Sequence, residues 1–207
     1  MNVSHNRMVL RSANGALRIV PERTHEPITL FFTDGRGGYT DAVALTTLTL
    51  TLYDRDAAAL TVINALNGTN ILNDGTRGTV PTRKTVTGAT NASPIVLTAA
   101  SHGYSTGDRV AVWEVLGNRA ANGLWTITVL DVNTFELNGS TGAGTYTSGG
   151  SCVKESQILL TAADNQILTS TNDLEWHRAL IEWTWNAGAR ADKYEIDFPV
   201  QNLNKVS

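Results

Sequence analysis

Residues 84–154 read KTVTGATNASPIVLTAASHGYSTGDRVAVWEVLGNRAANGLWTITVLDVNTFELNGSTGAGTYTSGGSCVK, and this stretch decides how the chain is organised. An apolar run follows Pro94, a turn falls at Gly107-Asp108, and Arg109–Val115 and Leu124–Leu130 alternate apolar with polar residues. A third short alternating run covers Thr134–Leu137, and a Gly/Ser/Thr-rich stretch leads out. Successive side chains of a strand point to opposite faces, so short alternating runs bounded by Gly and Asn predict strands and turns. Together they predict a small closed β-barrel over 84–153, interrupting a pattern that begins before it and resumes after it.

Working outward, Val43–Tyr53 has the clearest alternation in the chain. Leu48, Leu50 and Leu52 fall on one face and Thr47, Thr49 and Thr51 on the other. Ile28–Thr33 predicts another strand, ending at Asp34-Gly35-Arg36-Gly37-Gly38. That loop is read as a turn, because no Lys-Ser/Thr follows to complete a phosphate cradle. A hairpin is expected around Asn67-Gly68, followed by a turn at Asn73-Asp74-Gly75. Beyond the barrel, Ser156–Thr161 resumes as a strand. Ala162–Thr169 is expected to form one or two helical turns, with Asp164 near the start where a carboxylate suits unpaired amides.

The last predicted unit is a long hairpin, Leu174–Trp185 to Asp192–Val200, turned by Asn186-Ala187-Gly188. His177, Ala179, Ile181, Trp183 and Trp185 share a face, and Tyr194, Ile196 and Phe198 oppose Lys193, Glu195 and Asp197. An apolar face of this length must be covered, and the leucine strand is expected to face it from a second sheet. Pro199 places the return strand at, or along, a sheet edge. The expected fold class is therefore all-β: a β-sandwich with an inserted small β-barrel domain and a short N-terminal hairpin or arm. The sandwich is discontinuous, over 28–83 and 154–200. Residues 1–27 form the hairpin or arm, with Arg7–Arg11 and Ala16–Val20 separated by Ser12-Ala13-Asn14-Gly15, and 201–207 form a C-terminal extension.

Composition narrows the function classes. The chain has 207 residues, a formal net charge of -3 and one cysteine. That balance argues against a surface that neutralises many phosphates, so no nucleic-acid partner is expected. No apolar run approaches the roughly 18 residues of a membrane-crossing helix, so no membrane insertion is expected either. The N-terminus lacks the apolar core of a secretion signal, and export by that route is not expected. Cys152, alone, can form neither an intrachain disulfide nor a cysteine cluster for zinc.

Chemistry is sought by motif. A nucleophile elbow needs Gly-x-Ser-x-Gly between a strand and a helix, and that arrangement is not found; His-Glu-x-x-His is absent. Cys152 has Lys154 beside it on the same strand face at best. Asp54 and Asp56 close the leucine strand as turn formers. Neighbours in a strand diverge, so Glu175 and His177 are expected to point apart. Trp125 is in phase with Ile127 and Val129 and is read as core, whereas Trp113 falls out of phase with Val110 and Val112. It either stacks outward on a sugar or a partner, or packs against the host sandwich. No cofactor is expected.

One resemblance adds to this. His102-Gly103-Tyr104, Gly107-Asp108-Arg109-Val110, Ala121-Asn122-Gly123, Trp125-Thr126 and Asn133-Thr134-Phe135-Glu136-Leu137 recur in order over roughly residues 90–150. This run resembles the module named after the first catalytic-cysteine half-domain of ubiquitin-activating enzymes, as that module occurs in tailed-bacteriophage structural proteins. The resemblance implies a small β-barrel and no ubiquitin chemistry, since the catalytic cysteine of those enzymes lies outside it. The flanks resemble β-sandwich domains of phage baseplate and tail proteins, through Leu50–Asp54 (LTLYD), Thr161–Asp164 (TAAD) and Val200-Gln201-Asn202-Leu203. No long repetitive shaft of the kind found in fibre-like tail proteins is present.

The resemblance implies a non-enzymatic virion component of the tail, baseplate or neck, assembled in the host cytoplasm, with the barrel displayed outward. A head decoration protein is the alternative. The expected partners are other virion proteins and copies of the chain itself. A different class, a glycan-binding module for host-surface sugars, would use Trp113 and the loop Leu116–Gly123. Candidate partner contacts are Arg7, Arg11, Arg18, Arg23, Trp113, Asn118, Arg119, Leu203 and Lys205.

Overall fold

The computed structural model describes residues 18–33, 38–57, 61–63, 68–72 and 74–204 in full, and 6–9 and 205 by their backbone. The expected turns at 12–15 and 34–37, and residues 67 and 73, lie outside these. Among the described residues all regular structure is strand, save two 3-10 turns at Arg119–Ala121 and Leu203–Lys205. In chain order the strands are β1 (Asn6–Val9), β2 (Val20–Pro21), β3 (Glu26–Leu30), β4 (Leu45–Asp54), β5 (Thr61–Val62), β6 (Gly78–Thr79), β7 (Lys84–Thr85), β8 (Gly88–Ala89), β9 (Ile95–Thr98), β10 (Arg109–Trp113), β11 (Gly123–Val129), β12 (Thr134–Leu137), β13 (Ser151–Lys154), β14 (Ser156–Leu160), β15 (Leu174–Trp185) and β16 (Arg190–Gln201). The chain divides into two compact units, Met1–Ile28 with Ala44–Thr79 and Gln157–Ser207, and Thr29–Val43 with Val80–Ser156.

The first unit is sandwich-like, with a sheet ordered β1-β16-β15-β4-β5 and most of a smaller one ordered β3-β14-β6. The expectation that the leucine strand faces the closing hairpin from another sheet is corrected here. β4 is instead the hydrogen-bonded neighbour of β15, with Leu52 beside Ala179, Leu50 beside Ile181 and Leu48 beside Trp183. On the other side β16 brings Phe198 beside His177 and Ile196 beside Ala179. The three apolar sets are in phase, so pairing edge to edge satisfies the backbone ladder and makes one continuous apolar face. Leu48, Leu50, Leu52, Ala179, Ile181, Trp183 and Phe198 are all fully buried.

Two short N-terminal strands lie along β16. β1 pairs parallel with β16 at Tyr194–Asp197, and β2 pairs parallel with the same strand at Val200 and Gln201. Both therefore run in one direction and cannot be antiparallel partners of each other over those residues. Pro199, which has no N–H to give a ladder, falls between the stretch of β16 paired with β1 and the stretch paired with β2.

Ala162–Thr169 does not become helix. Asp164 folds back instead, its carboxylate accepting from Thr161 N at 2.7 Å and Thr161 Oγ1 at 2.9 Å, and this closes a turn. Short polar side chains that bond nearby backbone compete with helix in this way. At the C-terminus Gln201 still belongs to β16. Asn202 is buried and donates to the carbonyls of Ser170 and Asn172, so a free extension can begin only after it.

The second unit holds a seven-stranded sheet ordered β7-β13-β10-β11-β12-β9-β8. Its two terminal strands are consecutive in the chain. Between them Val86 N donates to Gly150 O and Thr87 N to Thr98 O, so one segment joins both ends of the curled sheet. The interior is filled by Val86, Ile95, Leu97, Val110, Val112, Ile127, Phe135, Leu137 and Cys152. A second cluster forms on the opposite side of β10, where Ala111, Trp113 and Val153 pack with Phe31 and Tyr39. Thr29–Val43, which the sequence reading assigns to the sandwich, thus groups with the barrel segment.

Candidate interaction surfaces

Each chemically suggestive group of the barrel has a structural task. Gly103-Tyr104-Ser105-Thr106-Gly107 does carry the letters Gly-x-Ser-x-Gly, but it is a turn leading into strand β10 and no helix follows it. Ser105 N donates to Asp108 Oδ2 at 2.8 Å. The neighbouring His102 is buried and both ring nitrogens are engaged. Nδ1 accepts from Tyr104 N at 2.9 Å, which leaves Nε2 to donate to Asp131 O at 3.0 Å. That ring is a brace between two backbone groups, not a base for Ser105.

Cys152 is fully buried, with Tyr104 Oη 3.7 Å from its sulfur. Burial pushes the thiol up to about 11, and pushes the Tyr104 hydroxyl up as well. Lys154 is paired with Asp108 at 3.1 Å. At pH 8 about one thiol in a thousand is then ionised, and only the thiolate reacts. A thiol-specific chromogenic reagent at pH 8 should therefore leave the native chain unlabelled over the time in which the urea-unfolded chain reacts to completion. Prompt labelling of the native protein would contradict this assignment.

Glu175 and His177 overturn their expected divergence. They are two residues apart, not one, and so share a face of β15. Both are fully buried, and His177 Nε2 lies 2.9 Å from Glu175 Oε1. The same carboxylate accepts from Leu168 N and Thr169 N, which pins the loop before β15 to that strand. Replacing one carboxylate oxygen by an NH2 group turns an acceptor into a donor facing donors. Glu175→Gln should lower stability by about 1–2 kcal/mol in urea unfolding, with faster amide exchange at Leu168 and Thr169.

The acids closing β4 act as turn formers. Asp54 Oδ1 accepts from Asp56 N at 2.9 Å and Ala57 N at 3.2 Å, and Asp56 Oδ2 accepts from Trp176 N at 2.7 Å. Among the described residues, no three His, Cys, Asp or Glu side chains converge as metal ligands.

The candidate contacts divide into exposed and interior groups. Trp113 is only 8% exposed, and its ring lies 5.4 Å from that of Tyr39. Asn118 is fully buried, donating to Thr90 O and accepting from Ala143 N. Neither is available at the surface, and the sugar platform proposed on Trp113 loses its ring. The in-phase argument was right that Trp113 leaves the barrel interior, but Phe31 and Tyr39 cover it on that side. Arg119, next to Asn118 in the chain, is exposed on the 3-10 turn. Arg18 pairs with Glu26, whose carboxyl is pushed up by burial and pulled back by that guanidinium. Arg23 has a φ of 58° and lies 3.4 Å from Glu22 with most of its side chain in solvent. Leu203 is half exposed. Arg7 lies opposite Glu195 in the β1–β16 register, while Arg11 and the side chain of Lys205 fall outside the described residues.

Sequence reasoning did not identify the polar face of the large sheet as a site. Arg178 Nε donates to Asp197 Oδ1 at 2.7 Å, and its Nη1 lies 3.5 Å from Glu195. Lys193 reaches Glu195 at 3.1 Å. Arg55 lies 3.4 Å from Asp197 and caps the Trp176 ring at 5.5 Å. Beyond this network an open concavity of about 480 Å³ is lined by Thr47, Thr49, Glu182, Thr184, Ala191 and Lys193 among others. Thr47 and Thr184 share a 2.6 Å hydroxyl–hydroxyl bond there. The alternation 193/195/197 signalled this face, but which acid meets which base depends on register across three strands.

No family model matches this chain, and no curated protein matches it. Its polar sheet face offers hydroxyls and paired charges.

Proposed function

We propose that the chain is a structural subunit of a tailed-phage particle, placed in the tail, baseplate or neck. It works through contacts with copies of itself and with other virion proteins. The observation that carries this reading is what the motif residues do. His102 and Asp108 accept from turn amides. Asn122 bonds both N and O of Val115, and Trp125 Nε1 donates to Ala121 O. Asn133 accepts from Ser101 N, and Phe135 and Leu137 fill the interior. A motif set spent on turns and core supports a shared scaffold, and the scaffold it resembles is one carried by phage structural proteins. Function then belongs to the surfaces, since a fold hosts sites but does not specify them.

The test is made on whole particles from the genome encoding the chain. Mass spectrometry should find the chain in purified virions at a fixed ratio to the major structural proteins. An electron-microscopy map should place it at symmetry-related positions on the tail, baseplate or neck. A position on the head would favour the decoration alternative, and absence from intact particles would overturn the proposal.

A further inference from the structure

We infer that β1 is an exchangeable strand: Asn6–Val9 of one copy pairs with Tyr194–Asp197 of a second copy, in the register it otherwise makes with its own β16. This deepens the assembly reading and rests on it for a reason why copies meet. Three observations carry it. β1 is four residues long, joined to β16 by a parallel ladder, and lies at the end of the sheet order. Parallel pairing is the weaker kind per residue, and a terminal strand is the easiest to detach.

The second observation is that β1 and β2 pair with separate stretches of β16, on either side of Pro199. β1 can therefore leave without disturbing β2. The third is length. Val9 lies at the level of Asp197 and Val20 at the level of Val200, a step of three residues along β16. At a rise near 3.3 Å per residue that gap is about 10 Å. The ten intervening residues, 10–19, can span on the order of 33 Å when extended. The connection is thus some three times longer than its own path requires, enough to reach a neighbouring copy while β2 stays in place.

Exchange regenerates every pairing it breaks, so its free-energy difference lies mainly in bringing copies together. That is why swapping an identical element is a low-cost route to assembly. Reciprocal exchange closes a dimer, and head-to-tail exchange makes a ring or filament from the same contact.

The experiment uses full-length chains. Arg7 is at the register position opposite Glu195, which alternates with the buried Ile196 along β16. A chain carrying only Arg7→Cys is mixed with one carrying only Glu195→Cys in a glutathione redox buffer, over a range of protein concentrations. The expected result is a disulfide-linked pair in the mixture, joining the two substituted positions and increasing with concentration. The double variant, Arg7→Cys with Glu195→Cys, should close within one chain when dilute. Closure of the double variant with no linked pair in the mixture, at concentrations where sedimentation shows association, would overturn exchange and leave assembly standing. A double variant that never closes would overturn the β1 docking itself. A chain that stays monomeric throughout would remove the assembly reading as well.

Discussion

Asp164→Ala should remove about 3–5 kcal/mol of folding free energy, the range seen when one member of a buried ion pair is deleted. Asp164 and Arg77 are both nearly buried and meet at 2.6 Å. The carboxylate also accepts from the amide and hydroxyl of Thr161, so its loss orphans three donors at once. Arg77 Nε already lacks a partner, and without Asp164 the nearly buried guanidinium would lose its ion-pair partner as well. The strain spreads to the small sheet, because Arg77 O accepts from Leu159 N at the β6–β14 pairing. Arg77→Met should lose clearly less, since Asp164 keeps its two Thr161 donors while the apolar stem is retained. Urea unfolding of both variants decides it. Equal losses would mean that the Thr161 bonds contribute nothing and that the ion pair alone holds the turn.

Gly117→Ala should be nearly as damaging, at about 3 kcal/mol or more, because it combines a left-handed backbone with a collision. Gly117 has a φ of 82°, and a Cβ there would lie 2.0 Å from Thr145 O and 2.8 Å from Thr147 N. Both obstacles are backbone, so no side chain can swing aside. The segments would have to part, breaking Leu116 N to Ser148 O and Thr147 N to Leu116 O. Gly103 is the control: its φ is 69° but nothing lies within 4 Å of the added carbon. Gly103→Ala should therefore show only the conformational penalty, about 1 kcal/mol. Guanidinium melts followed by tryptophan emission, with Trp113 and Trp125 as reporters in this unit, separate the two. Equal effects at both glycines would mean that the 116–118 and 144–148 segments are not in contact.

Much of the fold was legible because strand formation leaves a local mark. Thr134–Leu137 is observed as expected, β11 is displaced by one residue, and β4 and β15 follow the alternation read from their leucines and from His177 to Trp183. The failures have separate causes. Ala162–Thr169 has helix-compatible composition, but a carboxylate that reaches back to Thr161 ended the matter in favour of a turn. Glu175 and His177 were within reach of sequence reasoning, since a separation of two puts residues on one face. The polar network on β16 was visible as a phase and not as a set of partners.

What the sequence determined by itself is that the chain is strand-built, roughly where its longer strands run, and which face of each shuns water. These follow from side-chain periodicity and turn chemistry, which act over a few residues. Only the tertiary structure decided that β4 lies beside β15 and not across from it, that Phe31 and Tyr39 cover Trp113, and that β1 lies along β16. Backbone ladders are nearly blind to side-chain identity, and an apolar face states only that it must be covered. The choice of neighbour is made by segments far apart in the chain, and no local pattern records it.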